Sequence, residues 1–419
     1  MLQRLLTRLV LAILVLAPSS SWRSSESGSA DRSVSRDSIP AGQPQAKPGY
    51  LLLPDKVVDR GEPFLPAALP QRGIFLALSR WGSTTLALFD ATTKALTPVA
   101  TEATGELVAS LAGGRIAYLV RQGVNPAKNY VEVLDLKRRK SQLIKPADDF
   151  AILGFTLSPS GEQLAYAQMN LRWSRSHRVS WRTGLADLRR YESRISLSSG
   201  QNNLSGEEIL VPFAWSGSTG KIYLQGLLPF RGMATQGIWS MSPDGSGMRK
   251  ILPEPSYTGM PRLSSDGTYL AYLSSRIEAL PRDYIPRPGA PPGNILAVMS
   301  LPTGEQSILA QETEAVYGVF AWSATGKEIL ASHQEWLEGR FRDATLRRVR
   351  KGASLRLQKI ARSQSLRVTG IGECSDGSLF WVEEDDQGAR LLGAKVNAAP
   401  ATLLAFLEGK IELIGCGGE

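Results

Sequence analysis

Two histidines, two cysteines and one Arg-rich, aromatic-laced stretch are where this chain of 419 residues could do chemistry. His177 and His333 stand far apart, and no Cys or His pair has the spacing of a zinc finger, a zincin or a haem attachment site, so no metal site is expected. A Ser-His-Asp apparatus would have to recruit one of these histidines, yet no GxSxG elbow occurs. His177 lies within the Arg-rich stretch and His333 directly follows an apolar strand, so each reads as a surface or loop residue. The fragment SGSTGK (216–221) lacks the spacing of a phosphate loop and the Ser or Thr after Lys221, and reads as a turn. Glu383, Glu384, Asp385 and Asp386 could attract a hard cation such as calcium, but a solvated hairpin tip accounts for them equally well. No catalytic set and no cofactor follow from these residues.

Recognition is better served. Residues 170–194 hold Arg172, Trp173, Arg175, Arg178, Trp181 and Arg182, followed by Arg189, Arg190, Tyr191 and Arg194. Arginine forks suit carboxylates and phosphates, and aromatic faces add stacking, so the first six are candidate partner-binding residues for an anionic polymer or protein. The alternative is a solvated loop whose aromatics pack on a neighbour. A second basic stretch, Arg340 to Lys351, reads as an outer hairpin, and the Pro-rich 279–294 as a loop on the rim. Cys374 and Cys416 could pair in an oxidising compartment, closing a loop of about 42 residues. Two separately buried thiols are the other reading.

The compartment follows from the N-terminus. Arg4 and Arg8 precede the apolar run Leu9–Ala17, then Pro18 and small polar residues, the pattern of a secretory leader over 1–18. That run spans about 14 Å as a helix, short of a bilayer core of about 30 Å, so the mature chain is expected to lack a transmembrane segment and to be periplasmic or secreted. Residues 19–49 are Ser, Gly, Pro, Gln and charged residues, a linker unable to bury apolar surface. The net charge of +9 favours anionic partners without choosing among them.

The elements that would position such residues announce themselves as an internal repeat over 50–419. A short apolar segment, Ser, a turn with Gly and an alternating strand recur as FTLSPSGEQLAYAQ, FAWSGSTGKIYLQG, PRLSSDGTYLAYLS, FAWSATGKEILAS and GECSDGSLFWVEE. The aligned serines are Ser158, Ser216, Ser264, Ser323 and Ser375, at intervals of about 50 residues. Each copy reads as a β-hairpin, and a second strand pair, clearest in GIWSMSPDGSGMRKILP, makes a unit of four antiparallel strands. Two degenerate units precede Phe155, giving about seven: 71–104, 105–150, 151–210, 211–256, 257–313, 314–365 and 366–419. Such sheets cannot bury both faces alone, and radial packing into a single all-β propeller solves this. Seven four-stranded blades are expected, with six and eight as the neighbouring counts. The segment YLLLPDKVV (50–58) is expected to complete the last blade and close the ring.

The Trp-Ser pairs at 215–216 and 322–323, SPSG at 158–161, SSDG at 264–267 and the LAY strands at 164–166 and 270–272 resemble the TolB-like (WD40-like, PD40) repeat family. The resemblance implies a propeller and leaves function open, because the same repeat serves periplasmic TolB and the propeller halves of prolyl-oligopeptidase-like enzymes. This sequence shows neither the α/β domain that precedes the TolB propeller nor the hydrolase domain that follows the peptidase one. The expectation is an exported, non-catalytic propeller that binds or scaffolds an envelope protein or an anionic glycan, as a monomer or within a complex, with no nucleic acid partner. The alternatives are a lactonase-type or polysaccharide-lyase-type enzyme at the channel mouth and a detached sensor ectodomain.

Overall fold

A computed structural model describes residues 55–417 except 62–72, 81–82, 104–108, 122–128, 148–149, 171–179, 199–207, 229–233, 254–258, 277–279, 281–292, 338–339, 351–352, 360–366 and 396–401. The leader and the linker lie outside these residues. The alternating segments form strands that assemble into seven antiparallel sheets. After an N-terminal β1 (Lys56–Gly61), blade 1 holds β2 (Gly73–Arg80), β3 (Ser83–Asp90) and β4 (Leu96–Ala103). Blade 2 holds β5 (Ala109–Ala112), β6 (Arg115–Arg121), β7 (Asn129–Asp135) and β8 (Lys140–Lys145); blade 3 holds β9 (Phe150–Leu157), β10 (Gln163–Asn170), β11 (Trp181–Asp187) and β12 (Glu192–Ser198). Blade 4 is β13 (Ile209–Trp215), β14 (Ile222–Leu228), β15 (Ala234–Met241) and β16 (Arg249–Leu252), and blade 5 is β17 (Gly259–Leu263), β18 (Tyr269–Ser274), β19 (Ile295–Ser300) and β20 (Gln306–Gln311). Blade 6 is β21 (Ala315–Trp322), β22 (Ile329–Leu337), β23 (Arg340–Arg350) and β24 (Ala353–Lys359). Blade 7 is β25 (Arg367–Glu373), β26 (Ser378–Asp385), β27 (Gly388–Lys395) and β28 (Thr402–Leu407), and β29 (Lys410–Gly417) ends the chain. The protein is an all-β, seven-bladed propeller of mostly four-stranded blades.

The recurrent Leu-Ala-Tyr explains how blades stack. On β10, Leu164 and Tyr166 point into the core shared with blade 2, and Ala165 into that shared with blade 4. On β18, Leu270 and Tyr272 face blade 4 while Ala271 faces blade 6. Period-2 alternation thus feeds two cores from one strand, with large residues on one face and small on the other, so no blade has a core of its own.

The Ser-to-Gly turns fix the first hairpin. Ser158, Ser264 and Ser323 accept from the N–H five residues on at 3.0, 2.9 and 3.2 Å. The glycine three residues on takes positive φ, 71° at Gly161 and 71° at Gly267. Gly267 also packs on the Ser216 turn of the preceding blade, where a Cβ would lie 2.9 Å from Oγ. In blade 7 the residue in the serine's place is Cys374, whose carbonyl accepts from Gly377 N–H at 2.9 Å, so the repeat is one residue out of step with the expected Ser375.

Antiparallel order puts the first and third links of every blade at one end of the ring, the turn end. The second link and the crossing to the next blade fall at the other, the loop end. The first strands of most successive blades neighbour one another around the axis.

Closure differs from the expectation. β1 does not complete the last blade: it pairs with β8 at the outer edge of blade 2. The ring closes instead through β29, which pairs with β2 and supplies the inner strand that blade 1 lacks. The reason is burial. An inner strand is covered on both faces, which suits Ile411, Leu413 and Ile414, whereas KVVDRG, charged at Lys56, Asp59 and Arg60, suits an edge. Cys374 and Cys416 are bonded, with Cα atoms 5.7 Å apart, so the closing strand is stapled to the first hairpin of blade 7. A cross-link over 42 residues is worth about 4 kcal/mol in the chain-entropy model. Reduction should therefore lower the melting temperature of the wild type but not of Cys374→Ser/Cys416→Ser, as read by calorimetry with and without dithiothreitol.

Candidate binding surface

The long links gather at the loop end. Residues 171–180 join β10 to β11 and residues 275–294 join β18 to β19, whereas the equivalent links in blades 1, 6 and 7 span only 81–82, 338–339 and 386–387. Both long links are fastened at the neck. Asn170 N–H donates to Ser180 O at 2.7 Å. Asn294, fully buried, accepts from Arg276 N–H at 2.7 Å and donates its side-chain amide to Arg276 O at 2.9 Å. The residue before it, Gly293, receives the Tyr317 N–H at 2.6 Å. The strand framework therefore presents two loop stems from blades 3 and 5, on either side of blade 4.

Arg172, Trp173, Arg175, Arg178 and His177 lie outside the described residues, in the first of these links. Trp181 and Arg182 do not join an exposed face: each is 1% exposed. Trp181 packs with Ile209 and Leu210 between blades 3 and 4. Arg182 donates to Asp55 Oδ1 at 2.7 Å and to Gln168 Oε1 at 2.6 Å, with its guanidinium 4.1 Å from the Phe150 ring centre. Asp55 also accepts from the Tyr166 hydroxyl at 2.7 Å, the Gln168 amide at 2.9 Å and Ala147 N–H at 2.9 Å. Burial, then the Asp55 charge, pushes the Tyr166 hydroxyl pKa well up, so the phenol stays a donor. This pins the segment entering β1 between blades 2 and 3. A sequence signal for it exists: Tyr166 and Gln168 are two apart on one strand face, and a polar Gln there requires a buried partner.

A second polar cluster lies between blades 5 and 6. His333 is not a loop residue but sits inside β22, 1% exposed, opposite Tyr317 on β21 and Thr345 on β23. Glu312 Oε1 lies 3.7 Å from its Nε2 and Glu335 Oε1 3.7 Å from its Nδ1. Two carboxylates would favour an imidazolium, but both are already engaged. Arg347 pairs with Glu335 and approaches Glu312 at 3.6 Å, and the Tyr317 hydroxyl donates to Glu312 at 2.9 Å. Burial, reinforced by Arg347 and Arg356, pushes the His333 pKa down to about 3, leaving a neutral ring with neither nitrogen hydrogen-bonded. The partly exposed oxygens of Glu312 and Glu335 belong to this cluster at the loop end. The stretch 340–351 forms an outer hairpin as expected, β23 turning into β24, with Arg347 and Arg348 engaged in ion pairs. β23 is the third strand of its blade, and Arg348 reaches Glu328 at 3.0 Å and Glu373 at 2.5 Å.

The acidic run at 383–386 is divided by strand alternation and turn capping. Glu383 is buried and accepts from Trp381 Nε1 at 2.9 Å, whereas Asp385 caps Gln387 N–H at 2.9 Å and pairs with Arg390 at 2.8 Å. Among the described residues no group of three His, Cys, Asp or Glu is arranged to hold a metal.

Two outcomes follow from the buried groups. Asp55→Ala strands a buried guanidinium, a hydroxyl and an amide, and should cost about 3–5 kcal/mol in urea unfolding. For His333, a folded pKa below the unfolded value means that the unfolded chain binds the proton first. The stabilisation is complete above about pH 6.5 and is lost as pH falls toward about 3. His333→Gln should flatten that part of the stability profile relative to the wild type.

No protein-family model matches the chain, and no curated protein matches it. Solved structures do. An oligogalacturonate lyase from Vibrio parahaemolyticus superposes with a TM-score of 0.53 at 12% identity, covering 78% of this chain and 87% of the lyase. A prolyl endopeptidase gives 0.50 at 14% identity, covering 71% of this chain and 42% of its own, so this chain spans less than half the length of that enzyme. The β-propeller domain of the trilobed protease from Pyrococcus furiosus gives 0.42 at 13% identity over 71% and 84% of the two chains. At these identities the likeness is one of fold, and the fold is the β-propeller.

Proposed function

We propose that this chain is an exported, non-catalytic member of the TolB-like repeat class, which binds or scaffolds an anionic protein or glycan in the cell envelope through its loop end. The observation that carries the reading is the pairing of two neck-fastened links, 171–180 and 275–294, on a ring whose other second links are shorter. Rigid stems with variable tips suit recognition. The first link holds Arg172, Trp173, Arg175 and Arg178, whose forks and rings fit carboxylates or phosphates on a polymer. The Cys374–Cys416 bond agrees with export to an oxidising space.

The enzymatic alternative, a lactonase or polysaccharide lyase, draws on the partly exposed Glu312 and Glu335 beside Arg347. Recovery of a bound glycan uncleaved after prolonged incubation would separate the two. Arg175→Gln/Arg178→Gln should reduce capture of envelope partners by the immobilised mature chain about tenfold at low salt with no change in melting temperature. Full retention of every partner would remove the loop end from consideration. Arg182 is excluded from this variant because its loss would act on folding.

A further inference from the structure

Every blade ends in an outermost strand whose free edge offers main-chain groups to a further strand. In blades 1, 3, 4, 5, 6 and 7 that strand slips by one residue against its neighbour, with Val99, Ser196, Ile251, Leu309, Leu357 and Leu404 as the extra residue. Such a bulge interrupts the edge and turns it away from further pairing. Blade 2 is the exception among the described residues. Its β8 pairs with β7 from Lys140↔Asp135 to Ile144↔Val131 with no slip, so its outer edge is a regular ladder, and this is the edge that β1 covers. β8 is also braced against blade 3, since Gln142 Nε2 donates to Leu188 O at 2.8 Å. The bulge that β8 lacks reappears on β1, between Asp59 and Gly61.

β1 sits on that edge as a ligand sits in a site. It is a fifth strand on a blade that is complete with four, and the ring closes through β29 without it. Lys56, Val58 and Asp59 are exposed and Val57 is half-buried, so the side chain that anchors the segment is that of Asp55, the residue ahead of the strand, which is fully buried. One Asp55 oxygen accepts from Arg182 and Ala147 N–H, the other from Tyr166 and Gln168. These four donors match the capacity of a carboxylate, and all belong to blade 3 or to the link leading into it. Gln168 also holds Arg182, and Ser193 Oγ donates to Asp55 O at 2.5 Å. The socket is thus assembled by residues outside the segment it holds. Elsewhere the resident fits less well: Lys56 stands directly opposite Lys145, a like-charge pair.

We propose that the outer edge of blade 2 and this carboxylate socket form a docking site for an extended peptide that carries an aspartate one residue ahead of its paired segment, with β1 as the resident ligand. The main-chain ladder supplies affinity for any extended segment, and the socket supplies selection, the division of labour of β-strand addition. Glutamate is one methylene too long for a closed socket, and asparagine would set an amide against donors. An acid in place of Lys56 would face Lys145 favourably. This site lies on the outer edge of the ring and does not depend on the loop-end reading.

The test uses the full mature chain with a protease site placed within residues 62–72 and cut after folding, so that β1 keeps its seat but loses its tether and the high effective concentration that the tether confers. The probe is a fluorescein-labelled peptide of residues 50–61, followed by anisotropy. It should exchange into the cut chain and be excluded from the uncut one. Peptides with Asp55→Asn or Asp55→Glu should bind about tenfold more weakly, and Lys56→Glu about threefold more tightly. Val57→Pro/Val58→Pro, which keeps the aspartate and removes a ladder N–H, should not bind. Circular dichroism of the cut chain reports whether the ring stays folded. The proposal is overturned if the ring unfolds on cutting, if a folded cut ring takes up no peptide, if the asparagine or the diproline peptide binds as the parent does, or if the uncut chain takes up the peptide equally.

Discussion

A ring of sheets is only as stable as its last joint, and here the joint is made where β29, near the C-terminus, pairs with β2 in blade 1. Blades 2 to 7 each draw four inner-to-outer strands from a continuous stretch, but blade 1 has three and waits for the C-terminal β29. Every interblade core depends on this, because each sheet is buried by both neighbours and an open ring would expose two faces at once. The cystine reinforces the joint from the side: one sulfur is on the closing strand and the other on the adjacent hairpin, in the position that four other blades give to serine. Blade 7 thus exchanges a local hydroxyl cap for a long-range cross-link.

The seven-fold arrangement was legible in the sequence because period-2 alternation and turn chemistry are local. The Ser-to-Gly hairpin needs only its own residues, and the Leu-Ala-Tyr strand states both of its packing faces within three positions. For β1 the local signals conflict: the apolar tetrapeptide YLLL suits an inner strand, whereas the charged residues that follow it suit an edge, where the strand lies. Partnering across more than a hundred residues, as between Asp55 and Arg182, leaves no local trace at either end. Arg182 therefore passed for part of a basic surface, and His333 for a loop residue, because both were read from neighbours in sequence rather than across the sheet.

The buried polar groups share a location. Arg182 with Asp55, His333 with Arg347 and its carboxylates, and Arg115 with Asp135 and Gly161 O at 2.9 Å all lie where one blade meets another. An apolar interface between two sheets tolerates sliding, since dispersion and burial have little direction. A buried ion pair does not, because a shift that breaks its hydrogen bonds strands a charge in a medium that solvates it poorly. The Asp55–Arg182 pair and the Arg115 bond to Gly161 O reach from one blade's segment to the next and resist such a shift, whereas the Arg115–Asp135 and Arg347–Glu335 pairs each lie within one blade.

That setting matters for both ends of the ring. The loop stems of blades 3 and 5 are held at a distance set by blade 4, and the third-link turns of blades 2 and 3 at a distance set by their shared core and the Gln142 bond. A surface composed from two blades can select a ligand by the spacing of its charges only if the blades do not slide. The interior polar contacts that cross between blades thereby help to hold the geometry that the exposed residues display. Both ends of the ring draw on blade 3. Blade 3 carries the Arg-rich link at one end and the Asp187 turn at the other, with the Asp55–Arg182 pair buried between blades 2 and 3. The N-terminal segment, through Asp55, is part of what constrains its placement.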